Sequence, residues 1–228
     1  MNLAIKTNAA IRAWILVASF LASVGLLCLI CFFKASTAFA FASAAIPCVA
    51  ALSLWVWEAK KISARNVAVL SALTALACAL RLVRIPVEGI EFTNFLVILA
   101  GLSMGPSEGF LAGALVPLVS NFYLGQGTWT AWQMLAWGLL GLGAGLVKNK
   151  KAGRWKLAAG GLFSGWAYGF LLNLYYFLYL RQFDWKMFGF VIAQGFPGDT
   201  LSGACTAALL VISWPWALKL CKRAAGIA

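Results

Sequence analysis

The feature that most constrains this chain is a series of apolar stretches, each close to the length that crosses a bilayer as a helix. A spanning helix needs about 20 apolar residues. The stretches lack the alternation of apolar and polar residues that a membrane barrel requires. The sequence therefore predicts an all-α integral membrane protein with eight transmembrane helices, at residues 13–33, 35–57, 66–82, 92–104, 109–124, 131–147, 157–180 and 199–218.

Composition supports a lipid environment. Of the 228 residues, 63% are apolar, 18 are basic and 6 are acidic, which leaves too little polar surface for a soluble globule. The net charge is +12, but the basic residues form short clusters between apolar stretches rather than one stripe. We therefore expect the lipid bilayer, and no nucleic acid, as a partner.

The distribution of lysine and arginine predicts the orientation. Eight spans place most of these residues on one side of the membrane: Lys6, Arg12, Lys60, Lys61, Arg65, Lys148, Lys150, Lys151, Arg154, Lys156, Lys219, Lys222 and Arg223. The other side carries Lys34, Arg81, Arg84, Arg181 and Lys186. Both termini are therefore predicted to be cytoplasmic, in a multi-pass protein of the cytoplasmic (inner) membrane.

The first two spans are separated only by Lys34, so we assign residues 1–62 to an N-terminal transmembrane hairpin and residues 63–228 to a six-helix membrane domain. A cleavable signal peptide is the alternative for the start of the chain. Its apolar region is usually about 7–15 residues long, which is shorter than the stretch at residues 13–33.

Turn residues predict the connections within the six-helix domain. Gly105-Pro106 and the GQGT sequence at 125–128 predict breaks between helices. Charged residues predict loops at 83–91 and 181–198, and Asp199 is expected to cap the N-terminus of the last helix.

Missing residue types exclude much chemistry. The chain contains no histidine, which removes Ser-His-Asp triads and imidazole metal sites. It also lacks a G-x-x-x-x-G-K-[ST] phosphate-binding loop, so ATP would have to be hydrolysed by another protein. We expect no catalytic residue, metal or cofactor in this chain.

Polar and aromatic residues concentrate at the end of the bundle that faces outward in this topology. Buried amides there need partners and usually face an interior cavity, although part of the aromatic set is expected to form an interfacial belt. Aromatic walls with a few polar groups suit a sizeable organic ligand. The predicted substrate-binding residues are Arg84, Glu91, Asn94, Asn121, Tyr123, Gln126, Thr128, Trp129, Trp132, Gln133, Asn173, Tyr176, Gln194 and Asp199.

Small residues form stripes on the span at 66–82. Ala64, Ala68 and Ala72 recur every four residues, and Ala75 lies on a neighbouring stripe. Such faces let helices approach closely. The stripes predict either packing within the bundle or a docking face for another membrane subunit.

Together these residues resemble a known family. Residues from about 63 to 223 are similar to the substrate-binding S component of energy-coupling factor (ECF) transporters. The resemblance lies in the six-helix core, the alanine-striped first core helix, the segment SNFYLGQGTWTAWQM at 120–134 and the FPGD sequence at 196–199.

The resemblance implies a protein that captures a vitamin-like small molecule with high affinity and is not an enzyme. It implies a transmembrane scaffold subunit and two cytoplasmic ATPase subunits as partners, with toppling in the membrane to release the ligand inward. The family's scaffold-docking alanines match Ala68 and Ala72, with Ala64 and Ala75 beside them. Family ligands lie under the loops at 81–91, 125–130 and 181–198. The N-terminal hairpin departs from the family's six helices, which places free toppling in question.

The segment at 125–133 is similar to S components of the cobalamin type, so the expected ligand is cobalamin or a related corrinoid. Riboflavin-like vitamins, other vitamins and queuosine precursors stay open as ligands.

Two other functions compete with transport. A membrane enzyme acting on a lipid-linked substrate would need an acid pair, for which Glu88 and Glu91 are the candidates, although Arg81 and Arg84 favour their being paired loop charges. A non-transporting assembly subunit would need no ligand pocket.

Overall fold

The computed structural model describes residues 64–83, 89–147, 153–180 and 184–226, and its six elements are all α-helices. The predicted all-α class is confirmed for these residues. The hairpin predicted at 1–62 lies outside them, so the total of eight helices and the cytoplasmic termini stay predictions. The helices are α1 (Ala64–Leu82), α2 (Thr93–Met104), α3 (Pro106–Leu124), α4 (Thr128–Leu146), α5 (Arg154–Leu180) and α6 (Trp185–Ala225).

Three of these helices are long and apolar enough to cross a membrane. They are α1, residues Arg154–Phe177 of α5, and α6. This supports a multi-pass membrane protein.

Glycines end α2 and α3 where the sequence predicts breaks. Gly105 has φ 139° and is followed by Pro106 at the start of α3, a position where the missing proline N–H costs no helical hydrogen bond. Gly125 has φ 108° after the last residue of α3. Both angles are unfavourable for residues with a Cβ. The predicted breaks are therefore confirmed, although α3 and α4 each begin three residues earlier than expected.

The predicted start of the last helix is wrong. α6 has 41 residues and begins at Trp185, and its N-cap is Asp184, whose Oδ1 accepts a hydrogen bond from the Lys186 amide at 2.9 Å. Residues 185–198 are therefore helical rather than a loop, and Asp199 lies inside the helix. Pro197 does not end it, because membrane helices tolerate proline where neighbouring groups satisfy the freed carbonyl.

The short helix α2 forms the centre of the bundle. It has 12 residues, of which all but Phe95 are buried, and it contacts each of the other five helices. A helix that is mostly apolar all round is expected in such a central position.

Glycines bring two helix pairs into close contact. A Cβ on Gly165 of α5 would lie 2.2 Å from the Asp199 carbonyl oxygen of α6, and one on Gly109 of α3 would lie 2.3 Å from the Gly141 carbonyl oxygen of α4. Side chains at these positions would separate the backbones. The bundle is thus built from an α3–α4 pair and an α5–α6 pair around α2.

Candidate functional site

Arg81 in the last turn of α1 connects three elements at one end of the bundle. Its guanidinium donates hydrogen bonds to the Ser120 hydroxyl and to Asn121 Oδ1 (3.3 Å) on α3. Its Nε lies 3.9 Å from Oε1 of Glu91, just before α2. The Arg81 side chain is 11% exposed and that of Glu91 is 28% exposed. These partners offset the cost of burying the Arg81 charge within a membrane protein.

Glu91 is therefore an ion-pair partner of Arg81. Burial raises the pKa of the Glu91 carboxyl above its ordinary value, and the nearby Arg81 charge opposes that increase. Glu88, the other member of the acid pair considered above, lies outside the described residues. The acid pair is therefore not tested by the described residues.

Trp137 of α4 joins this network to three further helices. The Arg81 guanidinium carbon lies 4.5 Å from the Trp137 ring centroid, and the ring stacks on Tyr168 of α5 at 4.4 Å. The indole N–H donates to Asn94 Oδ1 of α2 (2.8 Å), and Asn94 Nδ2 donates to Ser202 Oγ of α6 (3.4 Å). All six helices thus contribute a polar or aromatic group to one connected network.

Asn121 links α3 to the start of α4. It is 2% exposed, and its Nδ2 donates to Gln133 Oε1 (2.8 Å) and Thr130 Oγ1 (3.0 Å). Thr130 Oγ1 in turn donates to Gln126 Oε1 at 2.9 Å. Because both polar atoms of Asn121 are used within the protein, its contribution to a site is to fix Arg81 and Gln133.

A cavity of about 270 Å³ lies beside this network, between α5 and α6. Asn173 and Asp199 line it together with aromatic and aliphatic side chains, namely Trp166, Phe170, Ile192 and Phe196. The ring centroids of Trp166 and Phe196 are 5.7 Å apart with nearly parallel planes. In the part of the chain that the structure describes, no side chain forms an ion pair or hydrogen bond with the Asp199 carboxylate. Its oxygens are available to a ligand.

Gly169 makes room for that carboxylate. A Cβ at Gly169 would lie within 2.3 Å of Asp199 Oδ1 and Oδ2, so only glycine leaves this space. Tyr168, the preceding residue, stacks on Trp137 of the network. Adjacent residues of α5 therefore contact the network, through Tyr168, and the Asp199 carboxylate, through Gly169.

The remaining predicted site residues occupy different environments. Trp132 is 1% exposed and packs 5.7 Å from Tyr175, whose hydroxyl contacts Thr128. Trp132 and Thr128 therefore contribute to the contact between α4 and α5, and their role in substrate binding stays a prediction. Others are exposed at the rim, namely Tyr123, Gln126, Trp129, Tyr176 and Gln194. Arg84 lies outside the described residues.

Several residues of the network are absent from the predicted set. Arg81 could have been found, because a charged residue within an apolar span is a functional candidate. Trp137, Tyr168 and Ser202 carried no such signal, since aromatic and small polar residues are ordinary in membrane helices.

The alanine stripe lies on the outer face of α1. Ala64, Ala68, Ala72 and Ala75 are all exposed, whereas the opposite face buries Leu70 and Ala77. The described helices therefore leave this face uncovered.

Comparison with known protein families gives a match over most of the chain. The family model described as the substrate-specific component of the ECF transporter matches residues 65–219. Neither the curated proteins nor the solved structures that were compared gave a match.

Proposed function

The chain belongs to the substrate-specific components of ECF transporters, and on this premise we propose that it binds its substrate at the end of the bundle that holds the Arg81 network and the α5–α6 cavity. The resemblance to S components noted from the sequence is confirmed by the family match. Members of this family are transporter subunits rather than enzymes, so the chain is a substrate-capturing subunit of an ECF importer.

The observation that carries this location is the half-buried Asp199 carboxylate in an aromatic cavity. A charged group without a protein partner is costly at membrane depth and is usually retained for function. Asn173 adds an amide to the same cavity, and Trp166 and Phe196 provide flat apolar walls. This combination suits a ligand with a planar ring and at least one hydrogen-bond donor.

We assign two roles to the predicted site residues. Asn173 and Asp199, which line the cavity, contact the ligand, and Gln133 of α4 and the exposed Gln126 and Trp129 near the start of α4 also contact it. The second role is positioning. Its members hold the site in shape through the hydrogen bonds described above, and they are Arg81, Glu91, Asn94 and Asn121.

The proposed ligand is cobalamin or a related corrinoid, on the resemblance of residues 125–133. A corrinoid is larger than the 270 Å³ cavity, so only one edge or side chain of it would enter between α5 and α6, while the ring would rest on the exposed α3–α4 turn. Smaller ligands, such as a riboflavin-like vitamin or a queuosine precursor, would enter the cavity whole.

We also propose that the exposed alanine face of α1 docks on the scaffold subunit, which carries two ATPases. Small residues permit close helix approach, and the face is on the opposite side of α1 from the core. The ligand site and the docking face are thus separate surfaces.

The test is to purify the protein in detergent and record the absorption spectrum and mass of any co-purifying molecule. Cyanocobalamin is then titrated by calorimetry, followed by riboflavin and a queuosine precursor. Tight binding of one compound, weakened about tenfold or more in Asp199→Asn and retained in Glu108→Gln at the other end of the bundle, supports the proposal. Tight binding that is unchanged in Asp199→Asn contradicts the proposed location.

A further inference from the structure

A second cavity of about 450 Å³ lies at the opposite end of the bundle, between α4 and α5. Its floor is formed by the buried residues Ile98 and Leu102 of α2 and Leu210 of α6. It is separate from the Arg81 network, and neither the family nor the proposed function assigns it a role. We refer to it as the α4–α5 groove.

The groove opens on the lateral surface of the bundle. Gly143 of α4 and Gly160 of α5 line it and are exposed, and a Cβ on either would meet nothing within 4 Å. Phe163 on its wall is 63% exposed. In a membrane protein such an opening faces hydrocarbon chains rather than water.

The lining offers almost nothing to a polar ligand. The Ser164 hydroxyl already donates to the Gly161 carbonyl oxygen at 2.6 Å. The one charged group of the lining is Lys156, in the first turn of α5. It is exposed, and no carboxylate of the described residues pairs with it.

The length of the groove matches one leaflet. From Lys156 to Ser164 along α5 the rise is about 12 Å, close to half of the roughly 30 Å hydrocarbon core. Lys156 lies at the end of the bundle where Arg65 and Lys222 also lie, which is the basic side in the predicted topology. Basic residues beside interhelical pockets are typical of anionic-lipid sites.

We propose that the α4–α5 groove binds one acyl chain of an anionic phospholipid from the leaflet on the basic side, with the lipid phosphate paired to Lys156. The apolar walls hold the chain, and the Lys156 ammonium selects the headgroup. The lipid fills the space between α4 and α5, and thereby stabilises the seam between the two helix pairs.

The first test compares headgroups on the unmodified protein. Full-length protein is stripped of lipid in a neutral detergent, then titrated with phosphatidylglycerol or with phosphatidylcholine of the same chains, and bound lipid is counted by native mass spectrometry. We expect phosphatidylglycerol to bind about fivefold more tightly, the effect of one basic residue near an anionic lipid. Equal binding of the two lipids would overturn the proposal, and this test needs no variant to fold.

Three variants locate the site. Gly160→Leu fills the groove and should reduce binding of both lipids, whereas Lys156→Gln should remove only the preference for phosphatidylglycerol. Gly189→Leu is the matched control, because Gly189 is also an exposed helical glycine at which an added Cβ would meet nothing within 4 Å, but it lies near the start of α6. Full phosphatidylglycerol binding by Gly160→Leu, or a preference that survives Lys156→Gln, would overturn the proposal.

Discussion

Arg81 organises the polar end of the bundle because its guanidinium can serve several acceptors at once. It contacts Ser120 and Asn121 on α3, Trp137 on α4 and Glu91 before α2. A nearly buried arginine is stable only while its hydrogen-bond partners remain. Removing the Arg81 side chain should therefore lower both the stability of the fold and the affinity for the ligand.

The first prediction concerns this pair of charges. Arg81→Met should lower the free energy of unfolding by about 2 kcal/mol, since it leaves a half-buried carboxylate and an amide oxygen without their donor. Adding Glu91→Gln should recover part of the loss, because the unpaired charge is then removed. Thermal unfolding in detergent measures both changes. A double variant no more stable than Arg81→Met would show that Glu91 is adequately solvated without Arg81.

The second prediction concerns the ligand. Asp199→Asn should weaken binding of the captured substrate by about tenfold or more, since a hydrogen bond to a charged group contributes roughly 1.5–3 kcal/mol. Gln133→Ala and Trp129→Ala should also weaken binding without preventing membrane insertion. Calorimetry measures the affinity and size-exclusion chromatography checks folding. Poor folding in all three variants would indicate packing roles instead.

At the residue scale, the sequence predicted polar groups better than their partners. Asn94, Asn121 and Gln133 lie in one network, as buried amides at one end of a bundle should. Their partners could not be predicted, because the pairing of Asn94 with Ser202 depends on how α2 and α6 cross. Sequence spacing within a single helix carries no information on that crossing.

At the scale of the helices, the α5–α6 pair controls the shape of the candidate site. Gly165 and Gly203 lie so close to the backbone of the partner helix that neither position has room for a Cβ. Gly169 lies equally close to the Asp199 carboxylate. The pair can therefore hold Asn173 and Asp199 in one cavity only while these glycines are present.

The third prediction tests this contact. Gly165→Ala should destabilise the protein by about 1–3 kcal/mol, the usual cost of overpacking, because its Cβ would lie 2.2 Å from a backbone oxygen. Gly189→Ala, where the space is open, should be neutral or slightly stabilising, since alanine favours helix. Thermal unfolding distinguishes the two. Equal stability of both variants would mean that α5 and α6 can separate without cost.

Helix boundaries were predictable where the turn chemistry is specific. Gly105 and Gly125 end helices because both have a positive φ, which few residues other than glycine adopt. Pro106 lacks a backbone N–H and therefore favours the first turn of a new helix. The start of α6 was wrong for the opposite reason. Pro197-Gly198 is a common break in soluble proteins, but here the helix continues through it, and the signal that sets the true start is a single capping residue, Asp184.

At the scale of the whole molecule, two exposed surfaces lie apart from the Arg81 network. One is the alanine face of α1, and the other is the opening of the α4–α5 groove. α1 packs on α2, α3 and α6, whereas the groove lies between α4 and α5. A scaffold docked on α1 would therefore leave the groove in contact with lipid.

The fourth prediction concerns docking. Ala72→Leu should leave ligand affinity unchanged but strongly reduce substrate uptake by cells that express the complete transporter, because the larger side chain would hold the scaffold helix away from α1. Ala208→Leu, at an exposed alanine on α6, is the matched control and should preserve uptake. Normal uptake with Ala72→Leu would contradict docking at this face.

The central position of α2 has a consequence for how the chain is made. Its 12 residues rise only about 18 Å, well short of the roughly 30 Å of hydrocarbon, so α2 cannot rest in the bilayer as an independent segment. It has to wait for α3 and α4 to be synthesised before its polar groups and ends are covered, and the Asn94–Ser202 hydrogen bond forms only when α6 arrives. We therefore expect α2 to be inserted stably only together with its neighbours, and a ribosome-bound chain that stops before α6 to remain exposed to membrane quality control.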